Sequence, residues 1–164
     1  MKIGSVKEVK GFETRVGLTP RAVASYIENG HVVYIEKNAG LLSGFLDADY
    51  IAVGAKIVDN PKDVWNRSDM IIKINKPLES EYKFFRKGLI LLAYLNLETD
   101  KLLTTKLIEK EVIAIALEQI KDESGYPCMR PNSEVSGTVL YDEVKQFLDL
   151  KTDLETPHIV LIGA

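Results

Sequence analysis

Short apolar runs rich in β-branched residues alternate with segments of helical period along most of this chain. Runs at residues 3–6, 32–35, 56–58, 70–74, 89–94 and 112–117 are of strand length and predict six strands. Between the first two, Thr19 and Pro20 open a helix, because a hydroxyl can accept from free N–H groups and proline lacks the donor that the first turn would orphan. Gly30 closes it. Asn60 and Pro61 repeat the start signal ahead of Val64 and Trp65. Asp47 and Ser80 are expected to cap short helices through Tyr50–Ile51 and Tyr82–Phe85. A further helix is expected over about residues 100–110, with Leu102, Leu103, Leu107 and Ile108 on one face.

Strand runs such as Ile71-Ile72 and Ile113-Ala-Ile-Ala116 are apolar on both faces, which suits a parallel sheet covered by helices on each side. The expected fold class is therefore α/β, a doubly wound and mostly parallel sheet followed by a long C-terminal helix. After Leu117 the pattern changes. Residues 122–127 are turn-rich, and residues 133–150 read as that long helix, with Val135, Val139, Leu140 and Val144 among its apolar positions. A polar linker follows at 151–157, and residues 158–164 begin a new buried strand with a glycine at its carboxyl end. The domain organisation read this way is 1–131, an inter-domain helix and linker at 132–157, and the opening strand of another domain at 158–164. A strand without a sheet partner favours association, so a homo-oligomer is expected.

Composition narrows the function classes. The 164 residues suffice for one well-buried core, with 46% apolar and 27% charged positions. The net charge of −3 is spread along the sequence, which argues against a nucleic-acid or anionic-membrane surface. No apolar run approaches the roughly 20 residues that span a bilayer, and the start lacks a basic and then apolar leader, so a cytoplasmic protein is expected. Cys128 is the single cysteine, and His31 and His158 are the only imidazoles, so neither a disulfide nor a metal site is expected.

Candidate chemistry gathers at strand ends. Arg15 lies between the first strand and the first helix, at the carboxyl end of a parallel strand, where open α/β sheets place ligands. A guanidinium there can hold a small carboxylate through two parallel hydrogen bonds; the plainer reading is a solvated loop arginine. Lys73 and Asn75 close the fourth strand, and alternation places them on one face about 7 Å apart. For Lys73 and Lys76 the plainer reading is surface charge. Tyr94 ends the fifth strand either as a pocket wall or as a core-edge tyrosine, Ser133 is a natural N-cap, and Glu118 reads as an exposed strand end.

The opening Met1-Lys-Ile-Gly, then Lys7-Glu8 and Glu13-Thr-Arg-Val-Gly-Leu-Thr-Pro20, resembles the N-terminal domain of the alanine dehydrogenase and nicotinamide nucleotide transhydrogenase family. Gly30-His31, Val64-Trp65, Lys73 with Pro77, Glu81-Tyr82 and Ser133-Glu-Val extend the similarity along nearly the whole chain. The resemblance implies a Rossmann-like, flavodoxin-type fold, an NAD or NADP cofactor, and a small carboxylate or an amino or keto acid as substrate. The closing Ile159-Val-Leu-Ile-Gly-Ala looks like the first strand of the family's dinucleotide domain, without the glycine turn that approaches pyrophosphate.

Residue by residue, the resemblance makes Arg15 a contact of the substrate carboxylate, Tyr94 a pocket wall, and Ser133 a residue that approaches the cofactor. Two positions depart from the dehydrogenases, which carry a lysine where this chain has Asn75 and a histidine where it has Asn96; transhydrogenase α subunits also have asparagine at the first. Neither amide exchanges protons as those groups do. The expectation is a substrate-side domain of an alanine dehydrogenase-like oxidoreductase, without catalytic residues of its own, its cofactor contributed by another domain or chain. A transhydrogenase α-subunit-like fragment and a non-catalytic small-carboxylate module are the alternatives.

Overall fold

The computed structural model describes residues 1–149, with side chains through residue 146. The end of the expected long helix at residue 150, the 151–157 linker and the 158–164 strand lie outside the described residues. The predicted strands appear as β1 (Lys2–Ser5), β2 (Val32–Glu36), β3 (Lys56–Val58), β4 (Met70–Asn75), β5 (Ile90–Tyr94) and β6 (Ile113–Ala116). All neighbouring pairs are parallel, in the order β3-β2-β1-β4-β5-β6. This is the Rossmann order 3-2-1-4-5-6, the doubly wound, Rossmann-like parallel sheet that the strand pattern and the resemblance imply. The order in which successive strands are added reverses between β1 and β4, which opens a crevice at their carboxyl ends.

Helices cover both faces of the sheet. On one, Val23 of α1 (Pro20–Glu28) and Tyr50 of α2 (Asp47–Ala52) pack with Ile3, Val33, Ile35 and Ile72. On the other, Val64 and Trp65 of α3 (Pro61–Arg67) and Leu103 and Leu107 of α4 (Lys101–Glu109) pack with Ile71, Leu91 and Ala93. Ile71 and Ile72 thus serve opposite cores, the two-sided apolarity a covered parallel strand requires. Fully burying a valine, leucine or isoleucine of these cores contributes roughly 1.5–3 kcal/mol.

Local starts follow short-range chemistry. Thr19 accepts from the Ala22 N–H, Asn60 from Asp63 at 3.0 Å and Asp100 from Leu103 at 2.9 Å. Two expected caps are displaced. Leu46 precedes α2, with the Asp49 carboxylate accepting its N–H at 2.7 Å, while Asp47 accepts from the Asn38 N–H. Likewise Leu78 precedes the 3-10 helix Glu79–Phe84, and Glu81, not Ser80, accepts its N–H at 3.0 Å. In both, a carboxylate reaching back from the first turn takes the N–H of the residue that precedes the helix.

The chain divides into two compact units, Met1–Ile120 and Lys121–Ala164. The second contains the turn closed by Asp122 and Gly125 and the helix α5 (Arg130–Asp149). Ser133 is not its N-cap: its N–H donates to the Met129 carbonyl at 3.0 Å, inside a helix that starts earlier because Pro131 suits a first turn.

Candidate functional site

The crossover from β1 to α1 is tied to the sheet at both ends. Val6, Val16 and Leu18 are buried, and the Ser5 hydroxyl donates to the Ile72 carbonyl at 3.0 Å. Gly17 lies against the same carbonyl, so closely that a Cβ there would stand 2.5 Å from the oxygen. Between these anchors the loop carries Glu8, Lys10, Glu13 and Arg15 over the carboxyl ends of β1 and β4.

β4 bulges as it arrives there. Ile72 pairs with Leu92, but Asn75 pairs with Tyr94, so β4 uses one residue more than β5 over that step. The Glu8 carboxylate accepts the N–H groups of Ile74, at 2.6 Å, and Asn75, at 3.3 Å. The bulge breaks the alternation that would set Lys73 and Asn75 on one face. Lys73 instead turns inward, its side chain fully buried, with Nζ 3.0 Å from Glu81 Oε1 and 3.6 Å from Glu8 Oε2. Surface charge is thus the wrong description of Lys73, while Lys76 is a partly exposed lysine paired with Asp100 at 2.6 Å. Burial pushes the Glu8 carboxyl above the usual carboxylate range, against the opposing pull of Lys73 and the two backbone N–H groups.

Arg15 is held beside this cluster by Glu13. Its Nε and Nη2 donate to the two Glu13 oxygens at 2.9 and 2.8 Å, and its backbone N–H donates to Oε1 at 2.9 Å. Asn75 Nδ2 donates to Glu13 Oε2 at 2.7 Å, and Lys10 Nζ donates to Asn75 Oδ1 at 3.3 Å. The Arg15 hydrogen bonds hold the Glu13 carboxyl down at about 2, and the same pair raises Arg15, with smaller electrostatic support from Tyr94 and Glu8. Alongside lies a cleft of about 290 Å³, lined by the charged Lys7, Glu8, Glu13 and Arg15 together with the apolar Leu41 and Leu42.

Arg15, Asn75 and Tyr94 are therefore brought together, the first two through Glu13 and the last two as strand partners. Lys73 sits apart in its buried ion cluster. Asn96 follows β5 in a left-handed conformation, φ +46°, which asparagine tolerates. Glu118 fixes it by accepting the Asn96 N–H at 2.6 Å and the Leu95 N–H at 3.1 Å, a structural role beyond that of an exposed strand end. Ser133 belongs to α5, in the second unit. Sequence reasoning gave no site role to Glu8, Lys10, Glu13 or Glu81; for the first three, the density of ionisable residues in the one loop over the switch point was the available signal. Among the described residues no helix is long and apolar enough to cross a membrane, and no cluster of three or more His, Cys, Asp or Glu side chains could hold a metal ion.

Strand order and site location define a Rossmann-like α/β domain with a mixed-charge cleft at its switch point. The profile described as alanine dehydrogenase/PNT, N-terminal domain, matches residues 4–136, and the chain belongs to that family. It is 47% identical over 149 residues to an alanine dehydrogenase of Staphylococcus epidermidis and 46% identical over 150 residues to alanine dehydrogenase 2 of Staphylococcus aureus, each match covering 90% of this chain. The chain spans about 40% of the length of these relatives. A solved L-alanine dehydrogenase superposes with a TM-score of 0.73 at 41% identity, over 76% of this chain and 34% of the other. A transhydrogenase from Sinorhizobium meliloti shares the fold, with a TM-score of 0.67 at 23% identity over 72% of this chain and 34% of that one.

Proposed function

We propose that this chain forms the substrate side of an alanine dehydrogenase-like oxidoreductase, taking a small amino or 2-oxo acid by its carboxylate at Arg15. The observation that carries the reading is the meeting of Arg15, Asn75 and Tyr94 beside a cleft at the sheet's switch point. Glu13 already forms on Arg15 the two-pronged contact that a ligand carboxylate would make, so the ligand must share or displace it. Binding by this chain is accordingly weak.

The family's NAD or NADP does not fit the first crossover of this domain. The N-terminus of α1 is closed by Thr19 and Pro20, and the loop that leads to it carries the carboxylates of Glu8 and Glu13, which take backbone N–H groups themselves and would repel a pyrophosphate. Under this reading the nucleotide belongs to another domain or chain, such as the part of the relatives' length that this chain does not span. Asn75 and Asn96 offer amides that bind and orient but move no proton. That favours, as a second reading, a carboxylate-binding module with no turnover.

Titration of pyruvate and of L-alanine into the chain, followed by NMR, tests the proposal, with parallel assays of L-alanine plus NAD and of pyruvate, ammonium and NADH. Saturable binding is expected, weakened ten- to a hundredfold in Arg15→Ala by loss of charge-assisted hydrogen bonds, with no sustained turnover. Equal responses in the two proteins remove Arg15 as anchor, and sustained turnover removes the assignment of the chemistry to groups elsewhere.

A further inference from the structure

The cations at the carboxyl edge of this sheet are unequally committed. Arg15 faces Glu13 at 2.8 Å, Lys73 faces Glu81 at 3.0 Å, Lys76 faces Asp100 at 2.6 Å, and Lys7 lies 3.8 Å from Glu36. Lys10 differs from these four. It is exposed, and its ammonium donates at 3.3 Å to the neutral Asn75 amide oxygen. That bond ties Lys10 to the Arg15 constellation, because the other end of the same amide donates to the Glu13 carboxylate that grips the guanidinium.

An anion arriving at this edge meets two kinds of cation. At Arg15 it competes with a carboxylate that already satisfies two donors. At Lys10 it meets an ammonium with three donors, one of them on an amide and none on a carboxylate among the described residues. A surface ammonium exchanges a neutral acceptor for an anionic one at a gain, since the anion adds a charge–charge attraction to a bond that so far has only the donor's charge. Asn75 carries no charge to repel the ammonium, so it can hold Lys10 close to the strand end.

Resting on the reading of Arg15 as the carboxylate anchor, we propose that Lys10 is a second anion-binding residue of this site, oriented by Asn75, which contacts an oxygen of a small 2-oxo acid while Arg15 remains shared with Glu13. Position 75 then sets how the site is charged: a neutral side chain recruits the loop lysine, whereas a lysine there would supply the charge itself and push Lys10 away.

The test is a pyruvate titration of the full chain followed by NMR at two salt concentrations, comparing wild type with Lys10→Gln, Lys10→Arg, Arg15→Ala, Asn75→Lys and Asn75→Lys with Lys10→Gln. Lys10→Gln should weaken binding about tenfold and flatten its salt dependence, while Lys10→Arg retains both and thermal melting is unchanged. In the Asn75→Lys background Lys10→Gln should make no further difference. If Arg15→Ala abolishes binding but Lys10→Gln matches wild type, Lys10 has no such role and the Arg15 reading stands. A Lys10→Gln loss that Lys10→Arg fails to rescue also overturns the proposal. Absence of pyruvate binding by wild type overturns both.

Discussion

Replacing Lys73 by methionine tests how the site is built into the core. The substitution keeps the length and most of the volume of the side chain but removes a fully buried ammonium between Glu81 and Glu8. At an effective dielectric of about 20, charges 3.0 and 3.6 Å apart attract by on the order of 5 kcal/mol each. Desolvation of the three groups cancels much of this in the intact cluster, yet removing the cation leaves carboxylates of 2% and 7% side-chain exposure without a counter-charge. The expected loss is about 3–5 kcal/mol, a large share of the roughly 5–15 kcal/mol that stabilises an ordinary domain. Urea unfolding followed by the fluorescence of Trp65, the chain's single and fully buried tryptophan, reports on the same packed face.

Two controls separate charge from packing. Adding Glu81→Gln to the methionine variant should recover about 1–3 kcal/mol, because one uncompensated charge disappears. The deficit should also narrow on acidification. Glu8 already lies above its ordinary range through burial, and without Lys73 it rises further; a raised folded pKa means that protonation favours the folded state, so the variant gains on wild type as the pH falls. A methionine variant within about 0.5 kcal/mol of wild type from pH 5 to 8 refutes the reasoning, since substitutions away from such features commonly fall in that range.

Two further outcomes are expected. Gly17→Ala sets a Cβ 2.5 Å from the Ile72 carbonyl oxygen, a backbone atom that cannot swing aside; it should cost about 1–3 kcal/mol, lower the melting temperature and weaken pyruvate binding by shifting the Arg15 loop. An unchanged melting temperature would contradict this close approach. The Glu13 carboxyl, held at about 2 against an ordinary 4.5, contributes stability above pH 4.5 that is lost as the pH falls towards 2. Glu13→Gln should therefore be less stable than wild type by about 1 kcal/mol at neutral pH, discounted for a guanidinium side chain 51% exposed, with the melting temperatures converging between pH 4.5 and 2; a constant gap across that range argues against it.

The elements of this fold were determined by information local in sequence. β-branched runs, the Thr19-Pro20 and Asn60-Pro61 starts and the two-sided apolarity of Ile71-Ile72 reflect backbone sterics and burial within a few residues, and they fixed six strands and a covered parallel sheet. The caps at Asp47 and Ser80 misled because the helices start one or two residues earlier, at Leu46 and Leu78, whose N–H groups are taken by a carboxylate of the first turn, a choice between neighbours that composition leaves open. Arg15, Asn75 and Tyr94 could be marked as strand-end residues, but only the tertiary structure decided their partners. One extra residue in β4 sends Lys73 into the core towards Glu8 and Glu81 and leaves Asn75 between Lys10 and Glu13. These contacts join residues up to 65 positions apart, and both the register shift and the burial behind them arise only when the loop is laid across β4.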